Sequence, residues 1–417
     1  MRDQPLVSFV IASHDRRAVL LDTLEKLFEE RRPACPCEVI VVDNTSTDGT
    51  SEAVRRQFPS VTLLDLRSNL GSCAKALGVD RAVGDFIVFL DDDSFPRPHT
   101  VDRMLEHFAD QPKLGAASFR VFLPNGREEC SAFPNVFIGC GVGFRARALR
   151  EVGGLDRTLF MAAEEYDLSF RLINRGWHVR TFDDLHVDHL KTIQGRRGTR
   201  PVYHDARNNF LVAARYLPGD MFRLIGRDWM QRYHWLAADE GRLGPHVRGS
   251  LAGRLLAFHD RARNAHQRLS PRAFEVLFRF GEIEDRFSKL AAAGINRIVL
   301  ADLGKNALAF HRAASKYAMK TIAIADDRFA SRGRRYRGVP ILPVARALQN
   351  RPDAIVISNT SPIHAAQTLA SVEARTDVPV HGWFAACPAR PCTLDDRSSP
   401  TQAGTSESIA TNETHAA

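Results

Sequence analysis

The chain has 417 residues, of which 44% are hydrophobic and 25% charged. Those fractions are globular and exclude a mostly disordered, collagen-like or coiled-coil chain; at roughly 100–200 residues per domain the length allows two to four. The net charge of +8, from 57 basic and 49 acidic residues, suits anionic partners such as nucleotide phosphates, nucleic acid or an acidic membrane surface.

The first stretch alternates short apolar strands with amphipathic helices. Val7–Ala12 reads as a buried strand, followed by a helix over about Arg17–Glu30 with Leu20, Leu24 and Leu27 on one face. Strands are expected at Val39–Val42, Val61–Leu66 and Phe86–Leu90, with helices between them to about Phe58 and over Ser72–Val83. Continuous apolar strands alternating with helices indicate a mostly parallel sheet covered on both faces. From Ala116 the pattern becomes mixed: a strand to Phe122, a glycine-rich segment Gly139–Gly143, and a helix over Glu164–Asn174. Residues 218–293 read as helical and basic. Near Gly294 the strand–helix rhythm restarts with Arg297–Ala301, Thr321–Ala325 and Ala354–Ile357, a Rossmann-like unit to about residue 390. The Ser/Thr-rich segment 391–417 has no aromatic residue and is expected to be a disordered tail.

No apolar run reaches the roughly 18 residues of a membrane span, and Met1–Pro5 leads into a strand without a signal-peptide core. The expectation is a soluble, cytoplasmic chain. Its seven cysteines form no CxxC pair and read as free thiols.

Three segments carry chemistry. Asp91, Asp92 and Asp93 directly follow a buried strand, and ligands of open α/β sheets bind outside the carboxyl ends of strands. Clustered carboxylates there call for a hard cation, Mg²⁺ or Mn²⁺, together with substrate phosphates. Asp43, also at a strand tip, can accept a hydrogen bond from a base or ribose, whereas Asp48 and Thr50 read as caps of the next helix. Glu164, Glu165 and Asp167 open a helix, where acidic residues are favoured by the macrodipole. If that helix end faces Asp91–Asp93, one of these carboxylates can deprotonate a hydroxyl.

Taken in order, these elements resemble the family 2 glycosyltransferases of the GT-A fold, especially their rhamnosyltransferase-like branch. The resemblance runs from Val7 to about Pro218. It is carried by Val7–Ile11, Val41–Asn44 with Ser46 and Asp48–Gly49, Asn69–Gly71, Gly84–Asp93, Gly153–Asp156, Glu164–Leu168, Gly176–Trp177, His189 and Arg207–Asn208.

The resemblance implies an inverting transferase that moves a sugar from a nucleotide-diphosphate donor to a hydroxyl of a glycan, lipid-linked or polysaccharide acceptor. It places the nucleotide sugar against Ala12, Ser13, Asp15, Asp43, Asn44, Ser46, Asn69, Gly71, Lys75, Asp91 and Asp92. It gives a divalent metal (Mn or Mg) to Asp91 and Asp93, with His189 approaching it, and the acceptor side to Gly139, Cys140 and Gly141. Glu165 is the expected base, with Glu164 and Asp167 as alternatives. The chain departs from the family in Ala12–Asp15, in Glu164–Glu165 for the usual Glu-Asp pair, and in Lys75 where arginine is more common.

No residue of this expected site lies beyond His189, so the unit from Gly294 is expected to be dispensable for donor hydrolysis. Within that unit Asp326, 22 residues after Gly304, stands where a ribose-binding acid would sit, but the phosphate loop lacks two of three glycines. The unit is therefore expected to be structural or nucleotide-sensing rather than redox-active. A nucleotidyltransferase would need a glycine-rich phosphate loop after the first strand, and Ser13–Arg17 has none. The non-catalytic alternative is a nucleotide-sugar or dinucleotide-sensing protein. No helix-turn-helix, RNP-type or finger motif supports nucleic acid as partner. The basic helical segment can touch the anionic inner face of the plasma membrane, or simply present solvated arginines.

Overall fold

A computed structural model describes residues 6–29, 33–192 and 199–382. The segment expected to be a disordered tail lies outside these residues. The first half runs β1 (Val7–Ser13), α1 (Arg17–Glu29), β2 (Cys37–Asp43), α2 (Thr50–Gln57), β3 (Thr62–Asp65), α3 (Lys75–Arg81), β4 (Phe86–Asp91) and β5 (Ser94–Pro96). It continues with α4 (Thr100–Asp110), β6 (Leu114–Phe122), β7 (Glu128–Glu129), β8 (Gly141–Arg145), α5 (Ala146–Glu151), α6 (Glu164–Asn174) and β9 (His178–His189).

These strands form one mixed sheet in the order β3-β2-β1-β4-β8-β6-β9-β5, with β7 beside β6. The run from β3 to β4 is parallel, and β8 pairs antiparallel with both β4 and β6. Consecutive apolar residues of one strand serve opposite faces, because side chains alternate. Val7, Phe9 and Ile11 pack with Leu20 and Leu24 of α1 and Met104 and Phe108 of α4. Val10, Ile40 and Phe89 pack with Ala76 and Val79 of α3 on the other side. Two covered faces explain why these strands read as unbroken apolar runs.

The glycine-rich segment is only partly a loop. Gly141 lies within β8, where an added Cβ would stand 2.5 Å from Val187 Cγ1. Glycine there permits close strand packing.

Five helices follow: α7 (Arg200–Tyr216), α8 (Gly219–Asp239), α9 (Leu243–Arg263), α10 (Pro271–Phe278) and α11 (Phe280–Ala292). The second sheet is built from β10 (Arg297–Ala301), α12 (Ala307–Lys316), β11 (Lys320–Ala325), β12 (Arg335–Tyr336), β13 (Val339–Leu342), α13 (Val344–Leu348), β14 (Ala354–Ile357), α14 (Pro362–Glu373) and β15 (Val380–His381). Its order is β12-β13-β11-β10-β14-β15, parallel except for the β12–β13 pair. Both sheets belong to one compact unit.

The carboxyl end of β10 lies between β11 and β14, a switch point of the kind that binds ligands. The Asp326 carboxylate, however, accepts the backbone N–H groups of Leu303, Arg328 and Phe329 at 2.9, 2.9 and 3.1 Å. In this structure it organises two loops.

Candidate active site

The parallel register sets the site. Ser13 lies beside Asp43, and Ala12 lies between Val42 and Asp91, so the tips of β1, β2 and β4 end together. The loops beyond them are knitted by their own side chains. Asp43 accepts from Ser46 N (2.9 Å) and Ser51 Oγ, and the Ser46 hydroxyl accepts from Asp15 N at 2.9 Å. Asp15 in turn accepts from Thr47 N at 2.6 Å. Asn44 clamps the next loop, donating to Gly71 O (2.9 Å) and accepting from Leu70 N (2.7 Å), while Asn69 accepts from Gly71 N at 2.8 Å. Gly71 has φ +64°, and a Cβ there would meet Phe160 O at 2.2 Å. Only glycine lets this loop touch the segment that precedes α6.

The three adjacent aspartates point in different directions. Asp91 has a side chain about one-third exposed (34%), against 5% for Asp92 and 0% for Asp93. Asp92 bonds to Ser13 Oγ (2.7 Å) and Arg16 (2.6 Å), yet burial pushes its carboxyl up to about 6. Asp93 accepts from Arg16 and from the backbone and hydroxyl of Thr192, each at 2.9 Å. It also lies 3.3 Å from His189 Nε2. Its oxygens therefore face inward, behind the cleft.

Asp91 Oδ1 pairs with Lys75 Nζ at 2.7 Å, and Lys75 also donates to Gly139 O at 2.9 Å. Burial disfavours both charges, but the pair outweighs it: the Asp91 carboxyl is held down and the Lys75 ammonium up.

One oxygen of Asp91, a nitrogen of His189 and Cys140 Sγ converge within 4.8 Å of one another. Burial works against the charge of His189, yet hydrogen bonds with Asp93, Cys140 and Glu129 push its imidazole up to about 12. Glu129 Oε2 lies 3.1 Å from His189 Nδ1, and that bond leads the causes holding the Glu129 carboxyl down to about 2. Burial raises the Cys140 thiol, which stays protonated and soft. The donor set fits a hard divalent cation through Asp91 and, once deprotonated, His189; a protonated thiol does not suit it.

Before α6, Phe160, Ala162 and Ala163 all have φ near +66°, a conformation costly for residues with a Cβ. Asn208 of α7 holds this segment: its Nδ2 donates to the carbonyls of Leu159, Met161 and Ala162 at 2.8–2.9 Å. Asn208→Ala leaves the part-buried carbonyls of Met161 and Ala162 without this donor, at about 1–3 kcal/mol for such a loss. A lower Tm and a fall in kcat larger than the change in donor affinity are the expected outcome. Calorimetry with steady-state kinetics checks it.

The result is a sorted trio of acids. Glu164 is buried, bonds to Ser72 Oγ, and its Oε2 has no hydrogen-bond partner among the described residues. Burial raises its carboxyl. Glu165 Oε1 comes within 3.4 Å of the position of a Cβ on Gly139. Burial, then the charge of Glu164, push Glu165 up to about 8. Asp167 is turned inward, accepting from Arg215 (2.8 Å) and Tyr216 Oη (2.6 Å) and pairing with Arg171. Among the expected acceptor-side residues, Gly139 is therefore the one beside Glu165. Cys140 faces His189, and Gly141 is in the sheet.

The second sheet also reaches the neighbourhood of α6, which bears on the expectation that nothing beyond His189 belongs to the site. Lys305, in the loop after β10, donates to Asn209 Oδ1 at 2.8 Å. Its Nζ stands 3.9, 4.9 and 5.4 Å from the rings of Tyr166, Trp229 and Tyr233. Burial lowers its ammonium to about 7, against the opposing fields of Asp205 and Glu165. Trp229 Nε1 donates to Lys305 O at 3.0 Å, and Cys130 Sγ lies 3.1 Å from Ser361 Oγ. The two halves interlock around this loop, and no sequence pattern marks it. Lys305→Met removes a cation that favours ionised Glu165. Transfer at neutral pH is expected to fall, with the rising limb of the pH–rate profile moved upward, because the fields of Lys305 and Glu165 reach each other. Lys305→Arg should retain much of the activity.

Known proteins are similar to parts of this chain. Residues 8–133 match the model of the family described as Glycosyl transferase family 2. The N-acetylglucosaminyl-diphospho-decaprenol L-rhamnosyltransferase of Mycobacterium tuberculosis (strain ATCC 25618 / H37Rv) is 26% identical over 233 residues, 42% of this chain and 75% of that protein. The galactofuranosyltransferase GlfT1 of Mycolicibacterium smegmatis (strain ATCC 700084 / mc(2)155) is 28% identical over 277 residues, 56% and 90% of the two chains. TuaG of Bacillus subtilis (strain 168), named for teichuronic acid biosynthesis, is 28% identical over 113 residues, 26% of this chain. The chain spans less than half of TuaG, 44% of its length. The matched residues 8–133 hold the β1–β4 sheet and the aspartates at its carboxyl edge, so this part of the chain is a glycosyltransferase family 2 domain, and the acidic start of α6 follows it.

Proposed function

We propose that the chain moves a sugar, with inversion, from a nucleotide-diphosphate donor to a hydroxyl of a glycan or lipid-linked acceptor, at a membrane surface or in solution. The observation that carries this reading is the meeting of a cation–carboxylate pair and a raised carboxyl at one loop. Lys75 pairs with Asp91 and donates to Gly139 O, and Glu165 stands at Gly139.

The donor diphosphate would lie at the tips of β1, β2 and β4, near Lys75, while the loops of Asp43–Ser46 and Asn69–Gly71 hold the base and ribose. A divalent cation held by Asp91 and His189 would neutralise charge on the leaving diphosphate. Asp93 enters this reading as the residue that orients His189. Glu165 takes the proton of the acceptor hydroxyl as that oxygen attacks the anomeric carbon from the face opposite the diphosphate. A single displacement inverts the configuration. The raised carboxyl of Glu165 makes it a base suited to mildly alkaline pH.

A thermal-shift panel of UDP-, dTDP- and GDP-sugars, each with and without Mn²⁺, tests the reading. Ligand binding stabilises the fold by mass action, so one nucleotide should raise Tm, and more so with Mn²⁺. No shift with any donor favours the non-catalytic alternative.

A further inference from the structure

Helix α9 is built inside out. Its inner face is made of Gly249, Gly253 and Ala257, all buried. A Cβ on Gly249 would meet Tyr203 O at 2.2 Å, and one on Gly253 would meet Arg207 O at 2.7 Å. Only small residues fit against α7, so the large apolar side chains point outward.

Leu243, Val247, Leu251, Leu255 and Phe258 recur at spacings of four, four, four and three, which places them on one stripe. Leu251 is 53% exposed, Leu255 73% and Phe258 80%. The stripe runs from Leu243 to Phe258, 16 residues, a helical length of about 22 Å at 1.5 Å per step. Contiguous apolar surface of this kind marks an interaction site.

The flanks identify the partner. Exposed Arg254 lies on one side of the stripe, where Arg261 is instead turned to the carbonyls of Ala214 and Leu217, and Arg248, His259 and Arg263 lie on the other. The single acid of the helix, Asp260, is held by Arg215 at 2.7 Å. Beside Phe258, a groove of about 470 Å³ is lined by Phe210, Phe222, Arg254, Arg261 and Arg268 among others. An apolar stripe between basic flanks is the pattern of a helix lying in the plane of a membrane interface. Among the described residues no helix is long and apolar enough to cross a membrane.

We propose that α9 docks the protein onto an anionic lipid surface, with Leu251, Leu255 and Phe258 entering the headgroup boundary and the flanking arginines binding lipid phosphates. This deepens the reading above by favouring a lipid-linked acceptor, and it rests on that reading only there.

Co-sedimentation of the full chain with phosphatidylcholine vesicles, with and without about 30% phosphatidylglycerol, tests it. Sedimentation with the anionic vesicles and its loss as salt rises are expected. Leu251→Glu with Leu255→Glu should abolish it, while Tm and the nucleotide-induced thermal shift stay unchanged. Arg248→Gln and Arg263→Gln should each weaken binding roughly fivefold. Absence of vesicle binding overturns the proposal, as does equal binding to both vesicle types. A concentration-dependent dimer that Leu251→Glu disperses also overturns it, because a second copy would then cover the stripe. Failure of the nucleotide panel would leave the vesicle result standing, so the two readings fail separately.

Discussion

Glu165→Gln is expected to lower sugar transfer by about 10²–10⁴-fold, the usual contribution of a general base, with donor affinity held within a few-fold. The amide keeps the shape of the side chain at Gly139 but cannot accept the proton. The same change should raise Tm at pH 8. Burial and Glu164 hold the Glu165 carboxyl at about 8, above its unfolded value, so the stability it lends is complete below pH ~4.5 and lost as pH rises through 8. Glutamine removes that loss. A dead enzyme that melts higher separates loss of the base from damage to the fold.

Glu164→Gln is the companion variant. Its amide oxygen still accepts from Ser72, and neutralising it removes a charge that raises Glu165. The rising limb of kcat/KM should move to lower pH with transfer retained. If Glu164→Gln is instead the inactive variant, the base is the first acid of the pair. If both variants transfer normally, the two acids serve only the helix N-terminus.

The fold of the first half was legible because its strands are short, apolar and separated by helices of clear period. Val7–Ala12 and Phe86–Leu90 read as buried strands, and both cores draw on alternate residues of such runs. The cluster at Asp91–Asp93 was legible as a strand end. Its sorting was not, because three adjacent carboxylates look alike until Arg16, Thr192 and Lys75 arrive from elsewhere in the chain. Asp167 shares its helical turn with Glu164, and its inward turn depends on Arg215, 48 residues later. Lys305 carries no local signal at all, since its place beside Tyr166 follows from packing of the second sheet. The exposed stripe of α9 was hidden for another reason. Apolar spacing in a sequence does not say which face is buried, and there the glycines decide it.

Asp91→Asn and Asp93→Asn should fail in opposite ways. Asp91 is the one of the three aspartates whose side chain is partly exposed, so its loss should weaken Mn²⁺-dependent binding of nucleoside diphosphate by more than the roughly 10–100-fold typical of an outer-shell partner. Its asparagine still accepts from Lys75 but leaves that buried ammonium without its counter-charge, so Tm should fall, though less than for Asp93→Asn, which two cations face. Asp93 is fully buried between Arg16, Thr192 and His189. Its asparagine leaves two cations short of a counter-charge, and breaking a buried pair costs about 3–5 kcal/mol. A large fall in Tm is expected there, with Mn²⁺ affinity reduced only within the 10–100-fold range because His189 is less well oriented. Titration of Mn²⁺ against each variant with bound nucleoside diphosphate, beside calorimetry, reads both quantities. Should Asp93→Asn lose Mn²⁺ as completely as Asp91→Asn while melting at the same temperature, Asp93 is itself a ligand. The inward turn of its side chain would then have to reverse when metal binds.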